Sequence, residues 1–306
     1  MPYVTSAKEI LNLVAEYTNA PTLWIDTETA DYKSKKPRLS LIQVLDDAED
    51  MSGDRVYLLD VLDQPELVAD FIEQIMQNPA IEKVFHNASF DLKLLGGKKA
   101  QNITCTLEMA KKIPYYILPL PNYQLKTLAL ELCNFNNIDK EEQTSNWGKR
   151  PLSSEQIEYA CLDCIYLAQV HLHLLELNQK INIDPTKEDL TLLSARYQQV
   201  EQQYQLVNSE FEHLQERVKK AMLAQNLSET SDFKLTAWER ETTKVAFAEL
   251  ANLVQSQGIN LDFPVTLTKK LKTDLGESIE QLSVETEKTK SWRLKSKTQS
   301  DDVEDE

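Results

Sequence analysis

The sequence predicts an α/β layer architecture over residues 1–180, followed by an α-helical, coiled-coil-like region. Three observations predict it. Apolar runs of strand length recur early in the chain, with helical periodicity around them, as in strands and helices packed in layers. From Leu190 the apolar residues switch to an unbroken three–four spacing. From about Lys288 the chain turns polar and charged, ending in the acidic run 301–306.

Each element has a local reason. Ala7–Tyr17 carries helical periodicity, and Thr22–Asp26 (TLWID) is short and apolar enough for a buried strand. Leu39–Leu45 (LSLIQVL) reads as a second strand and Arg55–Leu59 (RVYLL) as a third. Pro65 opens a helix to about Gln77, since proline at the first helical position gives up no internal hydrogen bond. Lys83–Phe85 is a short fourth strand, and Ala88–Leu95 a helix that Gly96-Gly97 ends. Tyr123–Cys133 and Ser153–Asn178 are further helices, the latter opening on a Ser153/Gln156 capping box.

Asp184-Pro185 marks a boundary. Beyond it, Leu190, Leu193, Tyr197, Val200, Tyr204, Val207, Phe211, Leu214, Val218 and Ala221 form a heptad seam, which a second helix is expected to bury. That helix is either Trp238–Ser256, folded back as a hairpin, or one from another chain. Asp262-Phe263-Pro264 breaks the chain again. The expected division is 1–180, 185–257, a short irregular or helical segment 258–287, and a disordered acidic tail 288–306.

Composition narrows the function. The 306 residues carry a net charge of −16. Residues 1–180 hold 17 Lys and Arg against 26 Asp and Glu, and residues 181–306 hold 16 against 23. A general polyanion binder presents a basic surface, so any nucleic acid must be held by local basic spots or metal ions. No uninterrupted apolar run reaches ~18 residues. The first residues lack a signal-peptide pattern, and four cysteines make no disulfide scaffold. The expectation is a soluble cytoplasmic protein.

Three places carry chemistry. Asp26-Thr27-Glu28 ends a buried strand, and side chains two apart point to one side. Two carboxylates there repel each other and lose solvation, which a cation removes. A strand running into a solvated acidic turn fits the triplet too. His86-Asn87-Ala88-Ser89-Phe90-Asp91 follows the fourth strand, and Asp91 alone reads as an ordinary helix-start acid. Tyr159 and Asp163 lie four apart on one face of an apolar helix, where a buried Asp needs a partner or a metal. An exposed tyrosine–carboxylate pair fits that spacing as well. Together, four carboxylates from a strand, a helix start and a late helix suit two divalent ions, Mg²⁺ or Mn²⁺ rather than zinc.

Asp26-x-Glu28, Asn87-x3-Asp91 and Tyr159-x3-Asp163 resemble the three motifs of the DEDD 3′–5′ exonucleases, in the tyrosine variant. The histidine variant would have His where Glu158 stands. Arg38-Leu39-Ser40-Leu41-Ile42-Gln43, Asn146-Trp147, Arg150-Pro151-Leu152-Ser153 and Gln156-Ile157 resemble ribonuclease D most. The resemblance covers about residues 20–178 and does not extend to the accessory domain that follows the nuclease in bacterial ribonuclease D. It implies a ribonuclease H-like mixed sheet flanked by helices. It implies that Asp26 bridges two metal ions, that Glu28 and Asp163 complete one site, and that Asp91 holds the other through water. Tyr159 would position the attacking water, and His86, Asn87 and Phe90 would touch the terminal nucleotide.

Lys33, Lys35, Lys36, Arg38, Lys98, Lys99, Lys149 and Arg150 border the motifs. They read either as solvated loop residues or as a phosphate track, with Phe90 or Trp147 stacking on bases. Cys161-x2-Cys164 lacks a second pair for zinc, Gly96-Gly97-Lys98-Lys99 lacks the rest of a phosphate loop, and His171 and His173 cannot share a helix face. The function expected is a metal-dependent 3′–5′ exonuclease on single strands, RNA before DNA, releasing nucleoside 5′-monophosphates. The alternatives are a DNA proofreading exonuclease and a non-catalytic adaptor acting through its helical tail, by self-association or a helical protein partner over 190–221.

Overall fold

Six strands build one mixed sheet, whose two faces are set by the alternation of side chains along each strand. The computed structural model describes residues 2–286 except Tyr32, Lys35, Asn137, Asp139, Lys140, Lys244, Asp262 and Phe263. The expected acidic tail and the break at Asp262-Phe263 lie outside the described residues. The chain divides into two units, Met1–Glu188 and Asp189–Glu306.

In the first unit, β1 (Tyr3–Val4) leads into α1 (Ala7–Tyr17), then β2 (Thr22–Ala30), β3 (Arg38–Leu45) and β4 (Val56–Asp60). There follow α2 (Pro65–Phe71), β5 (Glu82–Phe85), α3 (Asp91–Leu94), β6 (Ile103–Cys105), α4 (Thr106–Lys112), α5 (Leu125–Cys133) and α6 (Ser154–Ile181). The strand order is β1-β4-β3-β2-β5-β6. β3 is antiparallel to both its neighbours, and the other pairs are parallel. This is the mixed sheet flanked by helices that the motifs implied.

One face of β2 and β3, with Trp24, Leu41 and Leu45, packs against Leu125 and Leu128 of α5 and Ala160, Cys164 and Leu167 of α6. The other face, with Leu23, Ile25, Ile42 and Val44, packs against Ile10 and Val14 of α1 and Leu67 and Phe71 of α2. Both cores consist of residues almost wholly removed from water. Alternation then places Asp26 and Glu28 on the α6 side, in line with Trp24.

The elements differ from expectation at their ends and in three omissions. β2 does not stop at Asp26 but pairs with β3 as far as Ala30, so the acidic triplet lies inside a central strand rather than in a turn. The helix from Pro65 widens into a π segment over Ile72–Met76. The helix expected from Ala88 begins at Asp91 and ends before Gly96, whose φ of +93° suits only glycine. A side chain at Gly96 would also start 3.0 Å from Ile72 Cγ2. β1, β6 and α4 add to the expected elements, and at two, three and seven residues they are too short to show a period.

α6 opens with the expected capping box, Ser153 accepting from Gln156 N and Gln156 Oε1 accepting from Ser153 N. By length and composition this helix could cross a membrane. Here its apolar positions cover the sheet.

In the second unit, α7 (Leu190–Ala224) spans 35 residues, and Asp189 caps it by accepting from Thr191 N and Leu192 N. Its seam is not buried as expected: Leu190, Tyr204 and Phe211 are 72%, 65% and 62% exposed. The helix expected over Trp238–Ser256 is shorter, α8 (Phe247–Gln257), and Trp238 is exposed outside it. Thr242 and Thr243, poor helix formers, sit in the lost part. A last short helix, α9, covers Lys269–Leu275.

Candidate active site

The strand register builds the site. Asp26 stands opposite Gln43, and Glu28 opposite Leu41, on the face that α6 covers. Asp163 enters from α6. One carboxylate oxygen from each of Asp26, Glu28 and Asp163 lies within 4.8 Å of the others. Glu28 and Asp163 are each only 9% exposed. Burial pushes the Glu28 carboxyl well above its usual range, and the charges of Asp26, Asp163 and Asp91 push it further. Carboxylates crowded in this way bind a hard divalent cation, and an all-oxygen donor set suits Mg²⁺ or Mn²⁺. The residues present therefore fit such an ion.

Asp91 stands apart from the three. It opens α3, where a negative charge meets the helix N-terminus favourably. β5 ends at Phe85, so Asp91 approaches β2 from beyond the end of that strand. Thr27 Oγ1 donates to Asp91 Oδ1 at 2.6 Å. Burial outweighs that hydrogen bond and pushes Asp91 up to about 6. The middle residue of the first motif thus holds the second motif's carboxylate. Sequence reasoning missed Thr27, though its place inside Asp26-Thr27-Glu28 was the signal.

Tyr159 is 9% exposed and lies one turn before Asp163. Burial, then the charges of Asp163 and Glu28, push its hydroxyl far above the ordinary phenol range, and it hydrogen-bonds the Asp163 carboxylate. It is therefore a neutral donor at the edge of the acidic group. Its ring packs on Trp147 at 6.2 Å between centroids.

Several expected nucleic-acid contacts fall elsewhere. Trp147 is 2% exposed and belongs to the core behind Tyr159, so it offers no stacking surface. Arg150 is committed inside the protein: Nε and Nη2 donate to the two oxygens of Asp60 at 2.6 and 2.7 Å. Its Nη2 also donates to Ser40 Oγ and its Nη1 to Trp147 O, both at 3.0 Å. Arg38 pairs with Asp31 and Asp63 at 2.8 and 2.6 Å, so its charge is already matched.

Others remain accessible. Phe90, just before Asp91, is 43% exposed, and Asn87 is exposed in a left-handed turn with φ +60°. His86 is half-buried, with Nδ1 2.9 Å from Thr106 Oγ1. Lys36, Lys98, Lys99 and Lys149 are exposed, while Lys35 lies outside the described residues. Cys161 and Cys164 are buried in the core, their thiols near the carbonyls of Gly53 and Trp24. His171 is also buried, accepting from Trp24 Nε1 through Nδ1.

A mixed sheet with three clustered carboxylates, a fourth at a helix start and a tyrosine donor beside them defines a centre able to hold a hard divalent cation. A family model described as 3′–5′ exonuclease matches residues 1–178, and the chain belongs to that family. It is 29% identical over 174 residues to ribonuclease D of Shewanella sp. (strain ANA-3), covering 57% of this chain and 42% of that one. It is 25% identical over 242 residues to DNA polymerase I of Aquifex aeolicus, covering 79% of this chain and 39% of that one. With the exosome complex exonuclease RRP6 of Saccharomyces cerevisiae it shares 27% over 172 residues, 55% of this chain and 22% of that one. Among solved structures, ribonuclease D of Escherichia coli aligns with a TM-score of 0.47 and 24% identity, over 59% of this chain and 46% of that one. The chain thus spans about two fifths of the length of the first two of these curated relatives, 42% and 39%.

Proposed function

We propose that this protein is a metal-dependent 3′–5′ exonuclease that removes nucleoside 5′-monophosphates from single-stranded ends, RNA in preference to DNA. The observation that carries the reading is the close approach of the Asp26, Glu28 and Asp163 carboxylates, within 4.8 Å of one another. Asp26 would be shared between two cations, Glu28 and Asp163 would complete one site, and Asp91 would serve the other through water. Such ions supply charge neutralisation and a more acidic water. The chain's own part is orientation. Tyr159, held neutral, donates towards the acidic group and would fix the attacking water by the same hydroxyl. Thr27 steadies Asp91. Phe90 and Asn87 would meet the terminal nucleotide, and Lys36, Lys98, Lys99 and Lys149 remain as exposed charges for phosphates.

The preference for RNA is supported by similarity to proteins named ribonuclease D and exosome complex exonuclease. Similarity to a DNA polymerase I supports a second reading, trimming of DNA ends. Free thiols at Cys105, Cys133, Cys161 and Cys164 suit a reducing compartment, and we place the protein in the cytoplasm. The exposed seam of α7 would serve a helical partner or a second copy of the chain. Digestion of matched single-stranded RNA and DNA, with Mg²⁺ and with chelator, tests the reading. Faster loss of RNA with metal supports it, and equal digestion in chelator overturns it.

A further inference from the structure

Gln43 is 0% exposed on β3, and neither its Nε2 nor its Oε1 has a hydrogen-bond partner among the described residues. A buried amide left unpaired loses its solvation with nothing in return. Leu41 and Leu45, on either side of it in the same row, are fully buried apolar residues. Gln43 is thus a polar interruption of an apolar row. Its position gives the interruption a use. The antiparallel register sets Gln43 directly opposite Asp26, and residues directly opposite share a face of the sheet. That is the face on which Asp26 meets Glu28 and Asp163.

We infer that Gln43 is a positioning residue for Asp26: in the cation-loaded protein its carboxamide donates to the Asp26 carboxylate, directly or through one buried water. A carboxylate shared between cations must hold one orientation, and a donor fixed behind it limits its rotation. Ligating groups are commonly held by such outer hydrogen bonds, and losing one costs about 10–100-fold in metal affinity. The inference rests on the cation-binding reading above.

The test titrates Mn²⁺ against thermal unfolding of the full chain, for wild type, Gln43→Met, Gln43→Leu and Val44→Ala. Val44, the next residue, is fully buried on the opposite face and controls for packing damage. Mn²⁺ that binds only the folded state raises its unfolding temperature. The Gln43 variants should unfold in chelator at or above the wild-type temperature, since they remove an unpaired amide, yet need about tenfold more Mn²⁺ for half-maximal stabilisation. Val44→Ala should unfold earlier with its half-point unchanged. A wild type that Mn²⁺ does not stabilise overturns the cation reading and this inference with it. A stabilised wild type whose half-point both Gln43 variants share overturns the positioning role alone. Failure of both Gln43 variants to fold, while Val44→Ala folds, would make Gln43 a packing residue and overturn it too.

Discussion

At the residue scale the acidic group is held in place by neighbours that look unremarkable alone. Asp26, Glu28 and Asp163 sit together because strand alternation and helix periodicity point them at one spot. Asp26→Asn keeps the shape and removes the charge. It should abolish hydrolysis and Mn²⁺-induced thermal stabilisation together, with the fold intact by circular dichroism. Tyr159→Phe should lower turnover about 10²–10⁴-fold, the range for a positioned proton-handling group, while Mn²⁺ stabilisation stays near wild type. Unchanged turnover would leave Tyr159 a packing residue. Trp147→Ala separates the two roles considered for that ring. As a core residue it should cost about 3–5 kcal/mol in denaturant unfolding. A normal stability with weakened oligonucleotide binding would return it to the nucleic-acid surface.

At the scale of elements, a polar clamp ties the segment before α6 to the sheet. Arg150 grips Asp60 at the end of β4 with two nitrogens, and Tyr3 of β1 donates to the same carboxylate. Burial alone would raise the Asp60 pKa, but Arg150 and Tyr3 outweigh it and hold it below the usual carboxylate range. A depressed folded-state pKa contributes stability above the unfolded pKa of about 3.9 and loses it as pH falls through the folded value. Asp60→Asn should therefore cost about 1.5–3 kcal/mol at pH 7. The gap to wild type should close as pH falls below about 4. A gap independent of pH between 7 and 2 would contradict the clamp.

The clamp also shows what was legible. The sequence placed Arg150 beside a motif, and its charge suggested phosphate. Asp60, its partner 90 residues away, has no local signature. The capping box at Ser153 was readable because it is a local pattern, a Ser followed three positions on by a Gln. The three motifs were readable because each keeps a fixed spacing over a short stretch of chain. Thr27–Asp91 and Gln43–Asp26 were not, since both depend on which strands become neighbours. β2 runs past Asp26 and Glu28, which look like turn residues, because pairing with β3 keeps them extended. The seam of α7 was readable as periodicity, but periodicity does not say what covers it.

At the scale of the whole molecule, the residues with chemistry fall in the unit ending at Glu188. A chain cut after Glu188 should fold, keep Mn²⁺-induced stabilisation and hydrolyse short oligonucleotides. A folded fragment without hydrolysis would show that residues beyond 188 complete the site. The exposed α7 seam predicts that the full chain, unlike the fragment, changes mass with concentration if a second copy covers it. Sedimentation of both across a concentration series reads this directly.

The protein's net charge of −16 makes an unaided grip on a polyanion costly, so bound cations must offset that repulsion at the site. The most direct test uses single-stranded RNA labelled at its 5′ end, with a free or a blocked 3′ terminus, in Mn²⁺ and after exhaustive chelation. A two-cation 3′–5′ exonuclease gives a ladder shortening from the free 3′ end in Mn²⁺, with the blocked strand intact and no products in chelator. Products in chelator, or internal cuts in the blocked strand, would contradict it.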